Sequence, residues 1–189
     1  MAVDLPTVHR QALDATRDIV AGIKPAQLDD PTPCDDWDVR TLLNHVVGGN
    51  LWVKPLVDGR TIEDVGDELD GDQLGDDFVA AYERAAAQAA SAFAADGAMD
   101  AMVAVSYGPV PGSVYCGHRF IDVLIHGWDL AKATGQDTTL DPALVDACWT
   151  VIEPELPMLA ASGMFGSAND PGPDADPGTR LLATLGRTP

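Results

Sequence analysis

The residues best equipped for chemistry lie in one segment, His118-Arg119-Phe120-Ile121-Asp122-Val123-Leu124-Ile125-His126-Gly127-Trp128-Asp129-Leu130. Wound at about 100° per residue, His118, Arg119, Asp122, His126 and Asp129 share an arc of roughly 100°. Apolar side chains fill the rest of the circumference, about twice the ~100° stripe that a surface helix buries. Such a helix is expected to be enclosed by neighbours, with its polar stripe facing an interior groove. Charges placed there must be paired or must coordinate a metal. Asp122 and His126, four residues apart, stand one above the other on that stripe. A carboxylate and an imidazole one turn apart form a half-site for Zn²⁺ or Ni²⁺, and equally a plain helix ion pair. His45 is the best third ligand from another element. His118 is an alternative to His45 or Asp122, or else a helix cap, and Arg119 and Asp129 are candidates for a salt bridge across the groove. His9, near the chain start, reads as a surface residue. Cys34 abuts Asp35 and Asp36, whose charges raise a thiol pKa and count against a nucleophile.

Bringing His45 to Asp122 and His126 requires helices packed side by side. A first helix is expected from about Pro6 to Ile23, where Val8, Ala12, Ala15, Ile19 and Ile23 recur at helical spacing. Pro25, Pro31 and Pro33 mark a linker. Asp38 is a good N-cap for a second helix, with Trp37 stapled onto Leu42 and an apolar stripe of Val39, Leu42, Leu43 and Val46. Gly48-Gly49 loosens its middle. Asp58 to Asp77 carries nine acidic residues against Arg60 alone, and reads as a solvated connection.

A third helix, about Asp72 to Ala95, shows Phe78, Tyr82, Ala85, Ala86, Ala89 and Phe93 on one face, and its alanines imply close helix–helix approach. Met99 to Gly117, broken by Tyr107-Gly108-Pro109-Val110-Pro111-Gly112, reads as an irregular crossover. The segment bearing the polar stripe forms the fourth helix, about Ser113 to Thr134, with Gly135 at its C′ position. Asp141-Pro142 opens a fifth helix through about Glu153. Ser162 to Pro177 reads as loop, and Thr179 to Leu185 as a last helical turn or two folding back on the body. The four tryptophans, Trp37, Trp52, Trp128 and Trp149, read as core and pocket wall. With no internal repeat, one bundle domain accounts for residues 1–189.

Composition agrees with that reading: 46% hydrophobic and 22% charged residues belong to a globular chain. Thirty acidic against 11 basic residues give a formal charge of −19, which repels phosphate backbones and anionic membranes, so neither is an expected partner. No apolar run approaches the ~18–20 residues of a membrane span. The N-terminus has no basic n-region or apolar h-region of a signal peptide. Three cysteines without metal-type pair spacing fit thiols in a reducing cytoplasm.

Thr32-Pro33-Cys34-Asp35-Asp36-Trp37-Asp38-Val39-Arg40-Thr41-Leu42-Leu43-Asn44-His45-Val46-Val47-Gly48-Gly49 resembles the opening signature of the actinobacterial DinB-like proteins related to the N-terminal, metal-binding domain of mycothiol-dependent maleylpyruvate isomerase. His126-Gly127-Trp128-Asp129-Leu130-Ala131-Lys132-Ala133-Thr134-Gly135 looks like the second signature, and Leu181 to Arg187 like the usual close. The resemblance implies an all-α, DinB-like four-helix bundle, here with additional short C-terminal helices. It also implies one divalent ion, zinc or nickel, on His45, Asp122 and His126. Asp122 stands where the isomerase has Glu, a shorter arm by one methylene. The isomerase's separate C-terminal domain has no counterpart before Pro189, which counts against maleylpyruvate isomerisation itself.

The expected function is a metal-dependent S-transferase or isomerase-like enzyme that activates mycothiol as co-substrate against a small electrophile, in a cytoplasmic monomer or homodimer. Arg119 is expected to bind a substrate carboxylate, and Asp129 to position His118 or a metal-bound water. A metal-dependent hydrolase and a noncatalytic metal-binding or stress-response module are the competing expectations.

Overall fold

The structure is a computed structural model that describes residues 3–157 and 168–189. Its contacts fall into two compact units, Asp4–Asp137 and one formed chiefly by the described parts of Thr138–Pro189. The larger unit contains α1 (Leu5–Gly22), α2 (Val39–Val57), a single turn α3 (Ile62–Val65), α4 (Phe78–Phe93), a hairpin β1 (Met102–Val105) and β2 (Gly108–Pro111), and α5 (Gly112–Thr134). α1 packs against α5 and α4, and α2 packs against α4 and α5. Four long helices, each touching two others, make the all-α, DinB-like four-helix bundle.

Local chemistry sets the ends of these helices. Asp4, Asp38 and Asp77 accept from the backbone N–H of Thr7, Thr41 and Ala80, capping α1, α2 and α4. The third helix therefore begins later than its sequence pattern implies. Asp72 instead accepts from Leu74 N at 2.9 Å, a local turn that competes with helix. At the other end of α5, Gly135 takes the left-handed C′ conformation, at φ 69°.

The expected irregular crossover is an antiparallel hairpin, with Met102 opposite Pro111 and Val105 opposite Gly108. Pro109 and Pro111 lack an N–H, but in a two-stranded ribbon each strand has an outer edge where none is required. Val103 is buried from the hairpin into the core. Small residues set two close helix approaches, that of α4 to α1 and α2 and that of α1 to α5. Ala81, Ala85 and Ala89 of α4 are buried, as close helix approach requires. On the other side, Gly127 lets α1 come close: a Cβ there would overlap Thr16 Oγ1, which donates to Val123 O at 3.2 Å. α1 is thereby keyed onto α5 one residue from His126.

In the second unit, α6 (Pro142–Ile152) starts at Asp141, which accepts from Ala143 N at 2.7 Å, with Pro142 at the first helical position. α7 (Pro177–Thr184) is capped by Asp176 and packs on α6, and Trp149 Nε1 donates to Pro177 O at 3.2 Å. Of the expected loop from Ser162 to Pro177, residues 162–167 lie outside the described residues; 168–176 carry no helix or strand.

His9 corrects the surface reading. It is fully buried, edge-on to Phe93 with ring centroids 5.0 Å apart, and neither ring nitrogen has a hydrogen-bond partner among the described residues. Its place in the series His9, Ala12, Leu13, Thr16 and Val20, the buried face of α1, explains why. Burial, reinforced by the charge of Arg119, holds the imidazole neutral and lowers its pKa to about 3.

A folded-state pKa below the unfolded value of about 6.5 leaves stability intact at neutral pH and removes it progressively as pH falls from there toward 3. This group should remove about 2 kcal/mol between pH 7 and pH 5. His9→Leu should lose that much less over the same interval in urea unfolding; equal pH slopes in the two proteins would refute the assignment.

Candidate metal centre

α2 and α5 bring His45, Asp122 and His126 together. His45 Nε2 lies 3.2 Å from Asp122 Oδ1, and His126 Nε2 lies 3.6 Å from the same oxygen. The two imidazoles meet edge to face, with centroids 5.0 Å apart. One donor atom from each residue falls within 4.8 Å of the other two. Donors at 2.0–2.1 Å on a tetrahedral zinc are separated by about 3.3–3.4 Å, a value that the 3.2 and 3.6 Å separations at Asp122 Oδ1 bracket.

Each donor is held from behind. Arg119 Nη1 donates to Asp122 Oδ2 at 2.9 Å, leaving Oδ1 to face the imidazoles, and Arg119 Nη2 donates to Asn50 Oδ1 at 3.0 Å. Burial works to raise the Asp122 pKa, but Arg119, His126 and His45 outweigh it and hold the carboxyl well below the usual carboxylate range. Asp129 Oδ2 lies 2.9 Å from His126 Nδ1. A carboxylate only accepts, so this contact places a proton on Nδ1, and in the neutral ring the lone pair of Nε2 then faces Asp122 and His45. With both imidazoles neutral, Asp122, Asp129 and Arg119 sum to −1, a local field that favours a cation.

Burial is graded across the cluster. Asp129, Arg119 and His126 are 0%, 7% and 8% exposed, whereas the side chains of Asp122 and His45 keep 23% and 38% of their surface. The polar stripe of α5 thus faces inward at its base and opens at His45. Trp37 covers the opening, its ring 4.9 Å from that of His45 and 6.2 Å from that of His126. The expected staple residue of α2 is therefore a wall of this site.

Other expectations resolve differently. His118 contacts the Tyr107 hydroxyl at 2.6 Å, on the hairpin side, and belongs to neither metal-type group among the described residues. The ion pair of Arg119 is with Asp122, and Asp129 serves His126.

Cys34, whose acidic neighbours count against a nucleophile, lies beside the cluster. Its Sγ lies 3.4 Å from Asp129 Oδ2 and 3.8 Å from His126 Nδ1. The loop that carries it is closed on Thr32, whose hydroxyl donates to Trp37 O at 2.8 Å and accepts from Cys34 N at 3.1 Å, with Asp36 at φ 64° between them. The Thr-Pro-Cys-Asp-Asp-Trp string is a signal for a tight loop, which here delivers Cys34 to Asp129 and Trp37 to the open side.

An all-α bundle with an inward-facing His/Asp cluster on two of its helices defines the structural class. The chain belongs to the mycothiol maleylpyruvate isomerase N-terminal domain family, whose model matches residues 9–131. It is similar to two uncharacterized proteins of Mycobacterium tuberculosis, from strains CDC 1551 / Oshkosh and H37Rv. Each is 40% identical over 185 residues, covering 95% of this chain and 96% of theirs. In structure it is similar to the crystallised mycothiol-dependent maleylpyruvate isomerase, solved as a histidine-to-alanine mutant. That match has a TM-score of 0.66 at 15% identity, over 87% of this chain and 73% of the isomerase, and establishes the shared fold.

Two adjacent glycines of α2 give a paired test of this architecture. A Cβ at Gly49 would lie 2.6 Å from Arg119 Cζ, while one at Gly48 meets nothing within 4 Å. Gly48→Ala should stabilise by about 0.5–1 kcal/mol through helix propensity. Gly49→Ala should destabilise by about 1–3 kcal/mol, because it displaces the guanidinium that Asp122 needs. Thermal unfolding of both variants checks this, and equal shifts of one sign would refute it.

Proposed function

We propose that the protein holds one divalent transition-metal ion, zinc in the first place and nickel as the alternative, on His45, Asp122 and His126. In this reading it is an S-transferase or isomerase-like enzyme that uses a low-molecular-weight thiol of the mycothiol type against a small electrophile. The observation that carries the reading is the convergence of His45, Asp122 and His126, with one donor atom from each within 4.8 Å of the others and both imidazoles facing Asp122 Oδ1. Membership of the mycothiol maleylpyruvate isomerase N-terminal domain family supports the choice of thiol.

When bound, an ion with three protein ligands supplies Lewis acidity at an open position and favours the thiolate of a thiol arriving there. The chain's own residues do the rest. Arg119 turns Asp122 so that one oxygen faces the cluster, and Asp129 fixes the tautomer of His126. We therefore read Arg119 as a positioning residue in place of the expected substrate-carboxylate contact, because both its terminal amino groups are engaged, and Asp129 as positioning His126 in place of His118 or a metal-bound water. Trp37 and the exposed edge of His45 form the side from which thiol and electrophile approach.

Protein purified without chelators should contain about one equivalent of metal by elemental analysis. His45→Ala and His126→Ala should each abolish stoichiometric uptake with helical circular dichroism retained, and Asp122→Asn should keep weak binding through its neutral oxygen. No uptake after incubation with Zn²⁺ and Ni²⁺ would remove the metal reading.

The thiol is tested on Co²⁺-loaded protein carrying Cys34→Ser, Cys116→Ser and Cys148→Ser. Mycothiol should add a near-ultraviolet band that saturates and is lost in His126→Ala. Bound cobalt with no such band would leave a metal protein without a thiol co-substrate.

A further inference from the structure

We propose that Cys34 is a positioning residue for His126, acting through Asp129; the inference rests on His126 being a metal ligand. Asp129 Oδ2 is the meeting point of two donors, the Nδ1–H of His126 at 2.9 Å and the thiol of Cys34 at 3.4 Å. Asp129 is fully buried, and a carboxylate withdrawn from water must be compensated by donors around it. A thiol is a weak donor, so its value here is geometric: with His126 it fixes the plane of the carboxylate, which in turn fixes the imidazole.

The side of the ring that Cys34 approaches distinguishes this role from two others. Its sulfur is 3.8 Å from Nδ1, whereas Nε2 is the nitrogen that faces Asp122 Oδ1. Cys34 therefore stands behind the ligand, away from the point where His45, Asp122 and His126 converge, with its thiol directed at Asp129.

Cys34, His126 and Asp129 also form a metal-type group by proximity. Their Nδ1-to-Oδ2 separation of 2.9 Å is nevertheless a hydrogen-bond length, shorter than the roughly 3.3 Å between nitrogen and oxygen donors on a tetrahedral zinc. The loop closed by Thr32 holds the thiol in this place, while Cys116 and Cys148 are buried elsewhere in the chain.

The test is a Zn²⁺ dissociation constant, measured by competition with a chromophoric chelator, for Cys34→Ala, Cys34→Ser, Asp129→Ala and the Cys34→Ala/Asp129→Ala double variant. Asp129→Ala should weaken binding about 10–100-fold, and Cys34→Ala by a smaller factor of about 3–10. Cys34→Ser, which keeps a donor, should stay within about twofold of the parent protein, and Cys34→Ala should add nothing once Asp129 is gone. Parent affinity in Cys34→Ala, equal loss in the Ala and Ser variants, or additive losses in the double variant would each overturn the proposal. If Asp129→Ala does not fold, Asp129→Asn replaces it in the cycle.

A second readout needs no metal. In ¹⁵N-labelled apoprotein the His126 Nδ1–H resonance should exchange slowly in the parent and in Cys34→Ser, and markedly faster in Cys34→Ala. Unchanged exchange would refute the Cys34 role, whereas absent Zn²⁺ uptake with the expected exchange pattern would refute only the metal reading.

Discussion

The ion pair between Arg119 and Asp122 is the constraint on which the centre depends. Asp122 has two oxygens and must offer one of them to two imidazoles; Arg119 takes the other at 2.9 Å and so decides which way the carboxylate faces. Arg119 reaches that position because α2 has no side chain at Gly49, and Asn50, the next residue, receives its second amino group at 3.0 Å. Both terminal amino groups of the buried guanidinium are met, although its Nε has no hydrogen-bond partner among the described residues. The notch, the amide and the carboxylate therefore form one unit, and the register of α2 against α5 is set by a polar contact as much as by Leu42, Leu43 and Val46.

His126 joins that unit to a second one. Its Nε2 faces Asp122 and its Nδ1 faces Asp129, so one ring transmits the geometry of the buried base of α5 to the half-open cluster. Gly127, the next residue, is where α1 closes on α5 through Thr16. The ring is thus fixed by a hydrogen bond at Nδ1 and, through the neighbouring backbone, by helix packing. The loop closed by Thr32 brings Cys34 to the carboxylate and Trp37 to the open face.

The helices of this fold were legible because their signals are local. Caps at Asp38, Asp141 and Gly135 and the three-to-four spacing of apolar residues are read over a few positions, and α1, α2, α5 and α6 follow them within about two residues. Misplacement began where a local alternative competed: Asp72 looked like part of a helix and instead makes a turn to Leu74. The hairpin was hidden because Pro109 and Pro111 are read as breakers, although an edge strand accepts them.

The site divided along the same line. Asp122, His126 and Asp129 share one helix, so their common face follows from winding alone. That Arg119 would turn to Asp122 depends on a glycine in another helix, and that Cys34 would reach Asp129 depends on how a loop of six residues closes. Neither is encoded in the spacing of the residues concerned. His9 is the opposite case, because its place on the buried face of α1 was readable from Ala12 and Leu13, and a polar residue type outweighed the pattern.

The direction in which burial changes through the cluster orders the parts by role. Asp129 and Arg119 are nearly or fully enclosed, so whatever they hold is shielded from competing water and their electrostatic grip is strong. His45 and Asp122 are partly open, which is where an incoming molecule would meet the chain under the proposed function. A bound divalent ion would change the local sum from −1 to +1, so a site set in a strongly acidic protein would present a positive centre to an anionic thiolate. The acidic surface then acts against non-specific anions at long range, screened within about 10 Å by salt, while the centre acts at contact. A thiol that arrives neutral and ionises only on reaching the open face avoids the first field and gains from the second. Such a sequence suits a neutral low-molecular-weight thiol better than a substrate already charged in solution.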